Sequence, residues 1–186
     1  MDSDHRQDGA PAPMDERGRS RRRFTRTGLG AAGVLMTLAS QPGMATDMCT
    51  SPSGTLSGGL QSHHGRGYAC AGRSPGYWKN HGGWPAGCQP ATPFSQVFTV
   101  DAGHAATYGA VTCGDILSHQ KFDDANLGMH LVAAWINALS GLTPFLTTDE
   151  LQRIWNEWQA RGYFNPVPSV QWNAASIVVY LSGTMQ

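Results

Sequence analysis

Between Cys70 and Cys88 the chain reads Cys-Ala-Gly-Arg-Ser-Pro-Gly-Tyr-Trp-Lys-Asn-His-Gly-Gly-Trp-Pro-Ala-Gly-Cys, and whatever fold the protein adopts has to accommodate this stretch. Five glycines and two prolines argue against a regular helix or strand through it and for a shaped loop. The same stretch carries Tyr77, Trp78 and Trp84, three large rings that a solvated linker has no use for. Ser74-Pro75-Gly76 has the composition of a tight turn, with Pro fixing φ and Gly supplying a positive one. Gly82-Gly83 permits a second reversal before Trp84-Pro85. Tyr77, Trp78, Lys79, Asn80, His81 and Trp84 are therefore the candidate binding or structural set.

Gly76-Tyr77-Trp78-Lys79-Asn80-His81, followed by Trp84-Pro85, resembles the GYWKNH motif of a group of secreted or surface-attached bacterial proteins, most of them uncharacterised. The resemblance is firm over residues 74–85 and loose over the helical stretch behind them. It implies an exported bacterial domain over 70–186. It carries over no activity and no catalytic residue.

Charge is unevenly spread. Residues 1–45 hold seven of the thirteen basic residues, whereas 46–186 hold six against eight acids, a formal −2. No basic stripe remains to neutralise phosphates, so nucleic acid is not an expected partner. Ser20-Arg21-Arg22-Arg23-Phe24-Thr25-Arg26 precedes a modestly apolar run from Gly28 to Ala39, and Gly43-Met44-Ala45 offers small residues for cleavage. That order is the pattern of an export signal, and the adjacent arginines resemble a twin-arginine signal. The expectation is a disordered n-region plus signal peptide over 1–45, cleavage after Ala45, and a periplasmic or secreted product. The apolar run is too short for a stable transmembrane anchor, and Thr46-Asp47 before Cys49 makes a poor lipid-attachment box. Residues 46–69 read as a flexible Ser/Gly-rich segment.

All four cysteines (Cys49, Cys70, Cys88 and Cys113) lie beyond residue 45. An even count in an exported chain suggests two disulfides, and the spacings are unlike those of zinc ribbons. A Cys70–Cys88 bridge would enclose the glycine-rich block, leaving Cys49–Cys113 by elimination; Cys49–Cys70 with Cys88–Cys113 is the rival pairing. The enclosing pair is favoured because a Gly-rich loop has much unfolded-state entropy to restrain.

Beyond the block, Phe94–Val100 reads as a short strand or an extended packing segment. Thr112-Cys113-Gly114-Asp115 resembles a capping box leading into a short helix. Asp123 or Asp124 can cap the next helix, whose apolar face is Leu127, Leu131, Ala134, Trp135 and Ala138, with Gly141 to end it. Thr147-Thr148-Asp149-Glu150 is a cleaner capping box, followed by Leu151, Ile154, Trp155 and Trp158 and closed by Gly162. Asn165-Pro166-Val167-Pro168 imposes an extended link. Trp172, Ala175, Ser176, Val179 and Tyr180 then fit a third helix, although Ile177-Val178-Val179 is also β-prone. The expected fold is mainly α: a small helical domain behind an irregular, disulfide-stapled N-terminal half with at most one short strand. Trp135, Trp155, Trp158 and Trp172 fall on apolar faces and are expected to build the core rather than a sugar-binding platform.

Catalytic patterns are scarce. The sequence contains no nucleophile elbow and no phosphate-cradling glycine loop. Nearly all the acids are explained as helix N-terminal residues, which leaves Glu157 as the one acid without a local role. His63, His64, His81, His104, His119 and His130 are scattered, so no metal site and no cofactor is expected. For Lys79 and His81 the structural role is to lock the block, with the Lys79 stem over a ring. The expected function is a non-catalytic binding or surface-associated module for an extracytoplasmic ligand or surface component. The alternative is a small exported hydrolase or metal-dependent enzyme using His81 and Glu157.

Overall fold

Helices begin where side chains can satisfy the first free N–H groups, and the clearest start is the one at Thr147. Its hydroxyl accepts from Glu150 N at 3.2 Å, and helix α7 (Thr148–Arg161) runs from there to Gly162, which sits at φ 78°. The computed structural model describes residues 48–56 and 68–186, all within one compact unit, Ala45–Gln186. The leader and signal assigned to 1–45, the middle of the Ser/Gly-rich segment and the His63-His64 pair lie outside the described residues.

In chain order, the elements are β1 (Met48–Cys49), α1 (Pro52–Leu56), β2 (Tyr68–Ala69), α2 (Pro75–Asn80), α3 (Phe94–Val97), α4 (Ala105–Tyr108) and α5 (Cys113–Ile116). A 3-10 turn, Asp124–Asn126, leads into α6 (Leu127–Leu139); after α7 come β3 (Phe164–Val167), β4 (Val170–Trp172) and α8 (Ala174–Gly183). The described residues are mainly helical, with two separate two-stranded antiparallel pairs among them, β1–β2 and β3–β4.

Helix α6 is the spine. Its sequence is apolar almost all round, as a helix needs to be when it is covered on several sides. Leu127, Leu131, Val132, Ala133, Ala134 and Ile136 are buried, and α2, α5, α7 and α8 pack against it. The second nucleus is aromatic. Trp155 of α7 is fully buried, its ring meets Phe94, Phe98, Tyr108 and Trp158 at centroid distances of 5.0–6.1 Å, and its Nε1 donates to Thr99 O at 2.8 Å. Trp158 and Trp172 are buried as well, and Trp135 is half-buried with its ring edge-on to Phe98.

Several expectations change. Phe94–Val97 is a helical turn rather than a strand, because Phe94, Val97 and Phe98 stand at the i, i+3, i+4 spacing that sends all three rings and branches inward. The Asn165–Pro168 link runs along one arm of a hairpin and into its turn at Pro168: Phe164 pairs with Trp172 and Val167 with Val170, and Asn165 Nδ2 donates to Val170 O at 2.8 Å. An edge strand tolerates the N–H that Pro166 lacks. Trp172 therefore lies on β4, and the last helix starts two residues later behind the Asn173 cap.

The disulfide is also different from the favoured pairing. Cys49 is bonded to Cys70, closing a separation of 21 residues, while Cys88 and Cys113 are buried thiols. The cause is local. Pairing of β1 with β2 sets Cys49 opposite Tyr68 and brings the Cys49 and Cys70 Cα atoms to 5.1 Å. Neither the enclosing Cys70–Cys88 bridge nor Cys49–Cys113 forms.

Candidate functional site

The Cys70–Cys88 block is not a loop throughout. Ser74 caps α2, its hydroxyl accepting from Tyr77 N at 3.3 Å, and Pro75 takes the first helical position, where its missing N–H costs nothing. The Ser-Pro-Gly sequence that suggested a tight turn is thus a helix start. The helix lasts six residues and gives way to Gly82 and Gly83, the latter at φ 85°.

A six-residue helix does not hold its shape alone, and here a buried amide holds it. Asn137 of α6 is fully buried. Its Oδ1 accepts from Arg73 N at 2.8 Å and from Trp78 Nε1 at 3.0 Å, and its Nδ2 donates to Arg73 O at 2.9 Å. Trp84 folds back on the same anchor, its Nε1 donating to Trp78 O at 3.0 Å. Gly72, just ahead, donates its N–H to Thr184 O at 3.1 Å and accepts from Gln186 N at 2.7 Å. A Cβ on Gly72 would stand 2.6 Å from Thr184 O and 3.0 Å from Asn137 Nδ2, so only glycine lets the backbones meet. Asn137 was not singled out in the sequence. Its signal is a lone amide inside the apolar run Leu131–Leu139, since a polar group in such a run is buried and must be paired.

With Trp78 and Trp84 turned inward, the other motif residues face solvent. Lys79, Asn80 and His81 are exposed and Tyr77 is half-buried. The Tyr77 and His81 rings stack at 4.1 Å with an 8° interplanar angle, and the Arg73 guanidinium lies 5.0 Å from the Tyr77 centroid. The cation over the ring is therefore Arg73 and not Lys79. His81 Nδ1 lies 2.8 Å from Tyr77 O; a carbonyl only accepts, so Nδ1 is the donor, and Nε2 lies on an exposed ring. Asn80 Nδ2 donates to Gly76 O at 2.9 Å, which uses its amide locally. The block is thus both clamp and surface: an inward pair of indoles and an outward face of Arg73, Tyr77, Lys79 and His81.

Glu157 does not join His81. It receives Arg153 Nη1 at 3.1 Å, Arg161 Nη2 at 2.6 Å and Asn165 N at 3.0 Å, so the acid without an apparent role ties α7 to the hairpin. A shallow groove along α7 between Asp149 and Arg161 is lined by these same groups, and Arg153 also pairs with Glu150 at 2.7 Å. Its charges neutralise one another, which leaves little field to recruit a charged substrate.

One carboxylate–imidazole pair was missed: Asp101 Oδ1 stands 2.8 Å from His104 Nδ1, and the His104 ring lies beside Tyr108, Trp155 and Trp158. The hydrogen bond from His104 holds the Asp101 carboxyl below the usual carboxylate range. Among the described residues the His104 ring hydrogen-bonds to Asp101 and to no hydroxyl or thiol, so no nucleophile is aligned with it. Nor does any group of three or more His, Cys, Asp or Glu among those residues lie where it could hold a metal ion. No helix among them is long and apolar enough to cross a membrane. No known protein family, curated protein or solved structure matches the chain.

Proposed function

We propose that this is an exported, non-catalytic binding module that uses the outward face of its GYWKNH-type block to hold a component of the bacterial cell surface. The supporting observation is the division of labour within the block. Trp78 is fixed on the buried Asn137, and this anchors a short helix that carries Tyr77 and Lys79, flanked by Arg73 and His81, with the half-buried Tyr77 ring between the exposed Arg73 and His81 side chains. Exposed rings with cations beside them suit a ligand that joins a negative group to a flat apolar face, as acidic glycans do. Export rests on the basic-then-apolar-then-small order of residues 20–45 and is favoured by a disulfide, which persists in oxidising compartments. The enzymatic alternative through His81 and Glu157 is weakened because Glu157 is committed to two arginines and a backbone N–H.

The test is co-sedimentation of purified protein with isolated cell-wall polysaccharide, comparing the wild type with a Tyr77→Ala/Lys79→Ala/His81→Ala variant. Binding should weaken by about tenfold or more while the unfolding midpoint moves little, since these groups lie on the surface. Equal sedimentation of both proteins would remove the proposed face. For export, replacing Arg21, Arg22 and Arg23 with Lys should leave uncleaved precursor in the cytoplasm; normal processing of that variant would end the twin-arginine assignment.

A further inference from the structure

Cys88 and Cys113 form a pair that neither the clamp nor the exposed face explains. Both side chains are fully buried in the one hydrophobic core. The two thiols lie close enough for each to perturb the other. The backbone around them is laced together independently of the sulfurs: Cys113 N donates to Thr92 O at 2.8 Å, Gly114 N to Pro90 O at 2.9 Å and Phe94 N to Val111 O at 2.9 Å. Gln89 N donates to Thr92 Oγ1 at 2.8 Å, and Pro93 and Thr112 form an antiparallel bridge. Gly114 permits this approach, because a Cβ there would stand 2.9 Å from Pro90 O. The turn that follows Cys88 is thus held against the first turn of α5, with the two sulfurs between them.

From this arrangement the geometry points to a second, closable disulfide: Cys88 and Cys113 are a dithiol site that a disulfide oxidant converts to a Cys88–Cys113 bond without rearranging the fold. The bond would close 24 intervening residues, tying the end of the motif block to α5 across α3 and α4. A low-molecular-weight disulfide such as oxidised glutathione, or the disulfide of an oxidoreductase, supplies the oxidation. One cysteine thiolate attacks that S–S bond, forming a mixed disulfide and expelling one thiolate. The second cysteine then attacks the protein sulfur of the mixed disulfide and expels the other thiol. Two protein thiols and one external disulfide become one protein disulfide and two external thiols, so the two electrons end on the oxidant's sulfurs.

The pair is also electrostatically asymmetric. The S–H of Cys113 donating to Cys88 holds the Cys88 thiol below the ordinary thiol range against the opposing effect of burial. Its hydrogen bond to Cys88 and its own burial push the Cys113 thiol up. Since both sulfurs are covered, attack takes place as the chain folds or when the 89–93 turn opens.

Trypsin gives a clean readout, because no Lys or Arg lies between Lys79 and Lys121 and one peptide, Asn80–Lys121, holds both cysteines, whereas Cys49 and Cys70 fall in others. The full chain is reduced, unfolded, refolded in mixed reduced and oxidised glutathione, blocked with N-ethylmaleimide and digested. The expected Asn80–Lys121 peptide carries no maleimide and is about 2 Da lighter than after reduction. Chymotrypsin, cutting after Phe98 or Tyr108, should leave two fragments still joined. The same result should hold in a Cys49→Ser/Cys70→Ser variant. Recovery of the peptide with two maleimides from protein whose Cys49–Cys70 bond has closed would overturn the site and make both residues inert core thiols. A link from Cys88 or Cys113 to Cys49 or Cys70 would overturn it too. The oxidant is supplied in the tube, so failure here leaves the binding-module proposal standing.

Discussion

Asn137 illustrates how much one buried polar side chain decides. Its amide serves two donors and one acceptor of the segment that precedes and enters α2. Asn137→Leu keeps the branched shape but strands the Trp78 indole N–H and both backbone groups of Arg73. It should lower unfolding free energy by about 3 kcal/mol or more in urea titration, because unmade buried hydrogen bonds cost more than made ones contribute. A cycle with Trp78→Phe should show strong coupling; additive effects would mean that the amide does not hold the block. Asp123 behaves differently. It is buried, accepts from Gly128 N at 2.7 Å, Met129 N at 2.9 Å and Tyr108 OH at 2.9 Å, and so caps α6 from outside the helix. Burial pushes its carboxyl above the usual range despite those bonds. A carboxyl raised on folding adds stability in its protonated form. That contribution is complete below the unfolded-state value and is lost as pH rises through the folded one. Relative to Asp123→Asn, the wild type should therefore be favoured most in acid and lose ground as pH rises. Urea midpoints of the two proteins across that range check the sign.

At the level of elements, α7 is the best test of the aromatic core. Trp155→Ala removes a fully buried indole that meets five other rings and should cost about 3–5 kcal/mol, with loss of near-ultraviolet circular dichroism. A near-native melting point would contradict its place in the core. This helix was readable in advance, since Thr147, the Leu151–Ile154–Trp155–Trp158 stripe and Gly162 are local signals that all agree. The box at Thr112–Asp115 was equally plain, and there the Thr112 hydroxyl and backbone N–H hold the Asp115 carboxyl below its usual range. Helix α2 was hidden because Ser-Pro-Gly serves a turn and a helix start alike, and only the Asn137 anchor decides between them. The β3–β4 hairpin was hidden for the opposite reason: Pro166 and Pro168 announce extended backbone but say nothing of a partner strand. The motif residues were legible as a group. Which of them point inward depends on residues more than 50 positions away.

Across the whole molecule, long-range closures hold the N-terminal pieces in place. Tyr180 OH donates to Thr50 O at 2.8 Å, and Cys49–Cys70 fastens β1 to the start of the motif block. Replacing both cysteines in Cys49→Ser/Cys70→Ser should lower stability by about 3 kcal/mol in the chain-entropy account and release 48–56 to proteolysis before the helical signal falls. Simultaneous loss of both signals would show the staple to be integral to the helical core. The pairing of Gly72 with Thr184 and Gln186 has a consequence in time. Trp78 and Trp84 leave the ribosome long before Asn137, and the backbone that seats Gly72 follows only after residue 186 has been made. The Trp78 indole must wait for Asn137, 59 residues behind it, and the Gly72 backbone for Thr184 and Gln186, more than a hundred behind. The block is therefore completed only once residues 184–186 have been made, late in the order in which these residues are synthesised.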